Sequence, residues 1–231
     1  VEQGSRKEGP LRTLLRSSLA RAVLSLLLVM AVGIVFNADG TFFRWDTHRD
    51  MLRQVSVFGM LACGMTLVIV AGGIDLSVGS LLGLSAVLFS LFSIQLGWAA
   101  LPAAGATICL AAVGGTLSGS LVARFRIQPF IATLAMMVFA RGVAKLVSGG
   151  QKVSTAVLLP DDTYQYVDVP KIFDLLSARI AGDNIAVVTL VLVGCIVFCW
   201  LLLSKTPMGR HIYAIGGNEE AARYAGVPIE R

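Results

Sequence analysis

Between Gln54 and Ala123 the chain carries a single formally charged side chain, the carboxylate of Asp75, set in the run AGGIDLSVGS from Ala71 to Ser80. A carboxylate in apolar surroundings suits general acid or base chemistry, but such chemistry needs a second positioned group. The sequence offers none near Asp75. The two histidines, His48 and His211, are far apart, and neither an HExxH nor a GxSxG pattern occurs, which leaves no metal-hydrolase or Ser-His arrangement. The four cysteines, Cys63, Cys109, Cys195 and Cys199, sit in apolar runs without a CxxC pair and read as small buried side chains. No catalytic residue and no metal site is assigned.

Two readings of Asp75 remain open. Gly72 and Gly73 suit a tight break, and Asp75 or Ser77 suits the cap of a restarting helix, so Asp75 is either a solvated cap on a short turn or a structural pin beside a transport path. A carboxylate at mid-bilayer costs about 2.5–3.5 kcal/mol, so the buried alternative demands a partner and a task. The motif comprises Gly72, Gly73, Asp75, Ser77 and Gly79. Phosphate chemistry is excluded more firmly, because no GxxxxGK[ST] loop occurs. The SGGQ at Ser148 to Gln151 looks like a signature of ABC-type ATPases, yet it closes an apolar run instead of opening a helix in a nucleotide-binding domain. This polypeptide is not expected to hydrolyse ATP.

The segment Ile215 to Pro228 reads as a short helix with marked ends. Asn218 is a good N-cap, Glu219 and Glu220 occupy the first turn, Gly226 suits termination, and Pro228 blocks continuation. Ala221 at the third helical position means there is no capping box. Either a solvated connector or a rigid docking element fits these ends, and docking is the favoured reading.

Long uncharged runs must position these residues. Composition is 56% hydrophobic and 14% charged with a mean hydropathy of +0.79, far from the roughly 25% charged content of soluble domains. Six runs approach the length of about 20 apolar residues that a bilayer requires: Ala20 to Ala38, Gln54 to Val70, Leu76 to Gln95, Trp98 to Ala123, Gln128 to Ser148 and Asn184 to Ser204. The expected fold is an all-α polytopic transmembrane bundle, with a cytoplasmic tail at 1–21, a membrane domain at 22–204 and a cytoplasmic loop at 205–231. The net charge of +5 comes from residues flanking apolar runs, with no basic stripe interleaved with aromatics, so nucleic acid is not an expected partner.

Positive residues stay on the cytoplasmic side. Arg6, Lys7, Arg12, Arg16 and Arg21 place the N-terminus inside, together with Arg124, Arg126, Lys205, Arg210, Arg223 and Arg231. Arg44, Arg49, Arg53, Arg141 and Lys145 oppose this assignment. Treating Gln54 to Gln95 as one crossing with a re-entrant break would move every later loop to the other side. The external loop, 149–183, carries a turn signal at Pro160-Asp161-Asp162 and interfacial tyrosines at Tyr164 and Tyr166. Ile172, Phe173, Leu176 and Ile180 recur at helical spacing, so a short surface helix and an ordinary loop both fit.

GxxxG spacings at Gly79 to Gly83 and Gly115 to Gly119, with Ser80, Ser118 and Ser120 nearby, suit close helix packing. Gln128-Pro129-Phe130 opens the fifth span with proline where a missing amide is tolerated. Gln128, Phe130, Thr133 and Arg141 are candidates for a substrate path. For Arg141, snorkelling to the outer interface is the slightly favoured alternative.

AGGIDLSVGS, IQPFIATLAMMVFARG and GRHIYAIGGNEEAARYAGV together resemble the permease subunits of bacterial ABC importers for ribose, xylose, arabinose and related monosaccharides. The resemblance runs from Gln54 to Arg231. It implies a multi-pass inner-membrane permease that pairs with a second permease copy, receives a monosaccharide from a periplasmic sugar-binding protein, and is driven by a separate cytoplasmic ABC ATPase. ATP and Mg belong to that ATPase, and this chain is expected to bind no cofactor. By position, Asn218, Glu219, Glu220, Ala221, Ala222 and Arg223 match the loop that docks on the ATPase. Such permeases continue with further spans, so a fragment or a truncated product is expected here. The implied mechanism is alternating access. An ATP-independent channel or facilitator and an intramembrane enzyme using Asp75 are the rivals.

Overall fold

In lipid every backbone polar group must find its partner within its own segment, so the long apolar runs fold as helices. The computed structural model describes residues 17–158, 162–168 and 170–229, in two compact units, 1–52 and 53–231. The basic residues Arg6, Lys7, Arg12 and Arg16, the turn residues Pro160 and Asp161, and Arg231 lie outside the described residues.

In the first unit, helix α1 (Ser18–Val35) starts where Ser17 Oγ accepts the amide of Ala20 at 3.1 Å, the bond expected of an N-cap serine. Its apolar side chains are mostly exposed, as on a helix that faces lipid. A 3-10 turn (Ala38–Phe43) follows, reversing at Asp39 and Gly40, both at positive φ. Phe42 lies against Gly33, where a Cβ would overlap its ring, and meets Phe43 and His48 edge-to-face at 5.2 and 5.8 Å.

Helix α2 (Trp45–Val70) begins nearer the N-terminus than the expected Gln54, because an Asp46–Arg49 ion pair of 3.0 Å supports a charged first turn ahead of the apolar stretch. It continues into the second unit. There follow α3 (Val78–Ser90), extended by a π turn (Leu91–Gln95), then α4 (Ala100–Phe125) and α5 (Pro129–Val147). Helices α3, α4 and α5 pack on one another through small residues: Ala103, Ala132 and Ala140 are buried, and Gly114 admits Leu81 so closely that a Cβ would sit 2.9 Å from it. Buried Thr107 and Ser118 satisfy their hydroxyls on carbonyls one turn back, at 2.8 and 3.2 Å.

Two antiparallel hairpins lie between α5 and the next long helix: β1 (Ala156–Leu158) with β2 (Tyr164–Tyr166), and β3 (Arg179–Ile180) with β4 (Ile185–Ala186). Helix α6 (Lys171–Ser177) stands between them. A short helix therefore does carry Ile172, Phe173 and Leu176, whereas Ile180 belongs to β3. Helix α7 (Val187–Lys205) is apolar on every side and joins α2 through a buried hydroxyl pair, Ser56 Oγ and Thr189 Oγ1, at 3.0 Å. Leu192 fills the space left by Gly59 beside it.

Among the described residues, helices α2, α3 with its π turn, α4, α5 and α7 make five that are long and apolar enough to cross a membrane, and α1 is a shorter apolar helix. The expected bundle is thus present, with the two small hairpins as its non-helical addition.

Candidate functional site

The break after α2 is made by its glycines. Gly72 takes φ +82°, its amide bonding Ile69 O while that of Gly73 bonds Val68 O, both at 2.9 Å. This is the Schellman ending, in which the left-handed residue lets the chain satisfy the last carbonyls and turn away. Asp75 Oδ1 then accepts the amide and the hydroxyl of Ser77 at 2.7 and 2.6 Å, and the carbonyl of buried Ser77 accepts the first amides of α3. Asp75 thus acts through Ser77, and the Ser77 hydroxyl itself caps nothing in α3.

The α4–α5 connection reaches the same place. Arg126 turns the chain at φ +53°, and the Gln128 carbonyl accepts from Ile131 and Ala132 to start α5 behind Pro129. Thr133 donates to Pro129 O at 2.8 Å, with its hydroxyl also 3.4 Å from Ile74 O in the break.

A helix absent from the sequence reading, α8 (Pro207–Gly217), arrives from the other side. Thr206 Oγ1 caps it from Gly209 N at 3.1 Å, and Gly209 lies so close to Leu202 and Leu203 that a Cβ would overlap their carbonyl oxygens. At its far end Gly216 rests on the Val70 carbonyl, with no room for a Cβ, and its Cα is the neighbour of Gly72. The end of α8 is therefore in backbone contact with the Gly-Asp break.

Helix α9 (Glu219–Tyr224) follows at once, as read from its ends. Asn218 Oδ1 accepts the Ala221 amide at 2.9 Å. Gly226 at φ +81° closes it with bonds from Gly226 N to Arg223 O and from Val227 N to Ala222 O, both 3.0 Å. Glu219 and Arg223 pair at 3.4 Å on one side, Ala222 is buried, and Glu220, Ala221 and Tyr224 are exposed.

These elements enclose a cleft of about 610 Å³, within the size range of small-molecule sites. Gly72, Gly73 and Asp75, Gln128 and Thr133, and Glu219 and Arg223 all line it, so one space joins the three groups of predicted residues. Ser77 and Gly79 lie outside the lining, as do Phe130 and Arg141. Phe130 is exposed, and Arg141 Nε donates to buried Ser80 Oγ at 3.1 Å, which ties the guanidinium to α3.

Among the described residues nothing packs into the GxxxG stripes, since a Cβ at Gly79, Gly83, Gly115 or Gly119 would meet nothing within 4 Å. Gly115 and Gly119 line the cleft. The sequence reading also missed Arg126 as a lining residue and Gly216 as a contact; the Gly216-Gly217 pair just before a capping asparagine was the available signal.

Carboxylates, guanidinium groups, an amide and a hydroxyl around apolar walls suit reversible hydrogen bonding to a polar solute. Among the described residues no cluster of His, Cys, Asp or Glu is able to hold a metal ion. The arrangement is that of a polytopic membrane protein of the permease class, with a solute-sized opening at the end of its bundle. The chain belongs to the family described as branched-chain amino acid transport system permease components, whose model matches residues 49–231.

The chain is 38% identical to the ribose import permease protein RbsC of Escherichia coli strain K12, over 91% of this chain and 62% of that protein. It is 37% identical to the ribose import permease of Bacillus subtilis, over 88% of this chain and 59% of that protein. With the fructose import permease FrcC of Rhizobium meliloti the identity is 33%, over 96% of this chain and 60% of that protein. The chain thus spans about three-fifths of these relatives' length. No solved structure matches it.

Proposed function

We propose that this chain belongs to the transmembrane permease subunit of an ATP-driven importer, which carries a monosaccharide across the bacterial inner membrane by alternating access. The observation that carries this reading is the shared cleft: α9, the Gly-Asp break and the start of α5 line one space, and Gly216 joins α8 to the carbonyl of Val70. A push on α8–α9 is thereby delivered to the backbone between α2 and α3. The relatives named as ribose and fructose import permeases supply the substrate class.

In this reading the N-terminus, the break and α8–α9 face the cytoplasm, and the 149–183 segment faces the periplasm. Asn218 to Arg223 dock on a separate ATPase, which alone handles ATP and Mg. A periplasmic sugar-binding protein delivers the substrate, and a second permease copy completes the pathway. Such a cycle requires that sugar and nucleotide each favour one of two arrangements, because a ligand shifts an equilibrium only through differential affinity.

The test is deletion of 218–223 in the full-length protein, reconstituted with its ATPase and binding protein. Loss of ATP-dependent uptake, with the permease still folded in the membrane, is the expected result. Continued sugar flux without ATP would replace the importer reading with that of a channel.

A further inference from the structure

Arg141 lies deep in a membrane-crossing helix. At 1.5 Å per residue it stands about 18 Å along α5 from Pro129, in a helix about 28 Å long. Helical Cα–Cβ bonds lean toward the N-terminus, which draws the guanidinium toward the middle of the span and away from the Val147 end. Its Nε donates to Ser80 Oγ at 3.1 Å, and Ser80 is buried near the start of α3. Among the described residues no carboxylate pairs with it.

An arginine has five N–H donors. One is spent on Ser80, which fixes the plane of the fork, and the others remain on an exposed head group. Hydrocarbon cannot satisfy them, at a cost of about 2.5–3.5 kcal/mol for a charge at mid-bilayer. Arg141 also follows Thr133 by eight residues on α5, about 12 Å farther along the axis, and Thr133 lines the cleft. The seven residues between them, Leu134 to Ala140, are apolar, so Arg141 is a separate polar position farther along the span.

We propose that the Ser80–Arg141 pair is a substrate-contacting station in the translocation path, where the fixed guanidinium donates to two neighbouring hydroxyl oxygens of a neutral monosaccharide. A neutral sugar is the solute considered because the cleft sets Asp75 and Glu219 beside Arg126 and Arg223, two charges of each sign, where a polyol finds donors and acceptors alike. The pair acts by positioning, and Ser80 acts through Arg141. This inference rests on the permease reading above.

The test uses the full-length transporter in proteoliposomes with its partners, its native cysteines replaced, Cys63, Cys109, Cys195 and Cys199 among them, Arg141→Cys introduced, and D-ribose and D-fructose as probes. A membrane-impermeant cationic thiol reagent is expected to label R141C, with saturating sugar slowing the reaction at least tenfold. Labelling by lipid-soluble maleimide alone, or a rate indifferent to both sugars, overturns the station. Arg141→Lys and Ser80→Ala provide an independent arm: each is expected to raise the KM for uptake about tenfold with kcat within twofold, and an unchanged KM in both overturns it. A parent transporter with no ATP-dependent uptake of either sugar would overturn the permease reading itself, and the sugar ligand with it. A parent that transports while R141C stays unprotected overturns the station alone.

Discussion

Replacing Gly216 by alanine places a methyl group where α8 meets the break. A Cβ there overlaps the Val70 carbonyl oxygen and lies 2.9 Å from its carbonyl carbon and 3.2 Å from that of Ala71. The carbonyl oxygen is the tightest of these contacts, and clearing it requires the two backbones to separate by more than about 1 Å. Neither side of this contact is a side chain that can rotate away. Overpacking of this kind costs about 1–3 kcal/mol. If only one of the two transport states keeps α8 on the break, that cost falls on one state and shifts their balance by about 5–150-fold. The neighbouring Gly217 is the control, because a Cβ there meets nothing within 4 Å and alanine gains up to ~1 kcal/mol of helix propensity. ATP-driven uptake and sugar-stimulated ATPase activity of the reconstituted full-length transporter are the assays. G216A is expected to uncouple hydrolysis from uptake, with G217A behaving as wild type. Equal behaviour of the two variants would refute transmission through this contact.

Asp75→Asn retains an oxygen that accepts from the amide and hydroxyl of Ser77, whereas Asp75→Ala does not. Uptake is expected to survive the first and fall at least tenfold in the second, and failure of D75N alone would show that the charge itself is required. Ser56→Ala removes one half of the buried α2–α7 pair. Such bonds in membranes average about 0.6 kcal/mol and reach about 1.7, so a lowered melting temperature in detergent is expected, with partial recovery in S56A/T189V. A melting temperature unchanged in S56A would remove this pair from the forces holding α7.

The long elements were legible because each signal was local. Gln128-Pro129 fixed the start of α5, the apolar run of α7 has no competing fold in lipid, and Asn218 and Gly226 marked α9 at both ends. The break at Gly72 and Gly73 was visible for the same reason, since a left-handed residue leaves its mark on the residue type. Helix α8 escaped notice because it is only 11 residues long and holds three glycines, which are poor helix formers; two of them make its tight contacts and announce nothing about their neighbours. The cleft was beyond reach in another way. Asp75, Gln128 and Glu219 meet only through pairing between distant elements, which no local pattern records. Arg141 is a similar case, because its sequence position suited both the interface and a substrate path, and only the fold brings its Nε to Ser80 Oγ.

The wide turn at Leu91–Gln95 has a bearing on how this chain tolerates change in length. Its amide of Leu96 reaches back to Leu91 O at 2.9 Å, one residue farther than an α-helix allows, and Phe92 stacks on Trp98 at 5.0 Å beyond it. The turn holds a residue of slack. Losing one amino acid here tightens the ladder to ordinary pitch and leaves the Val78–Ser90 surface undisturbed, whereas the same loss inside any other crossing swings everything downstream by about 100°. A one-residue deletion is therefore expected to be tolerated best at this spot, close to the aromatic stack and away from the packed alanines.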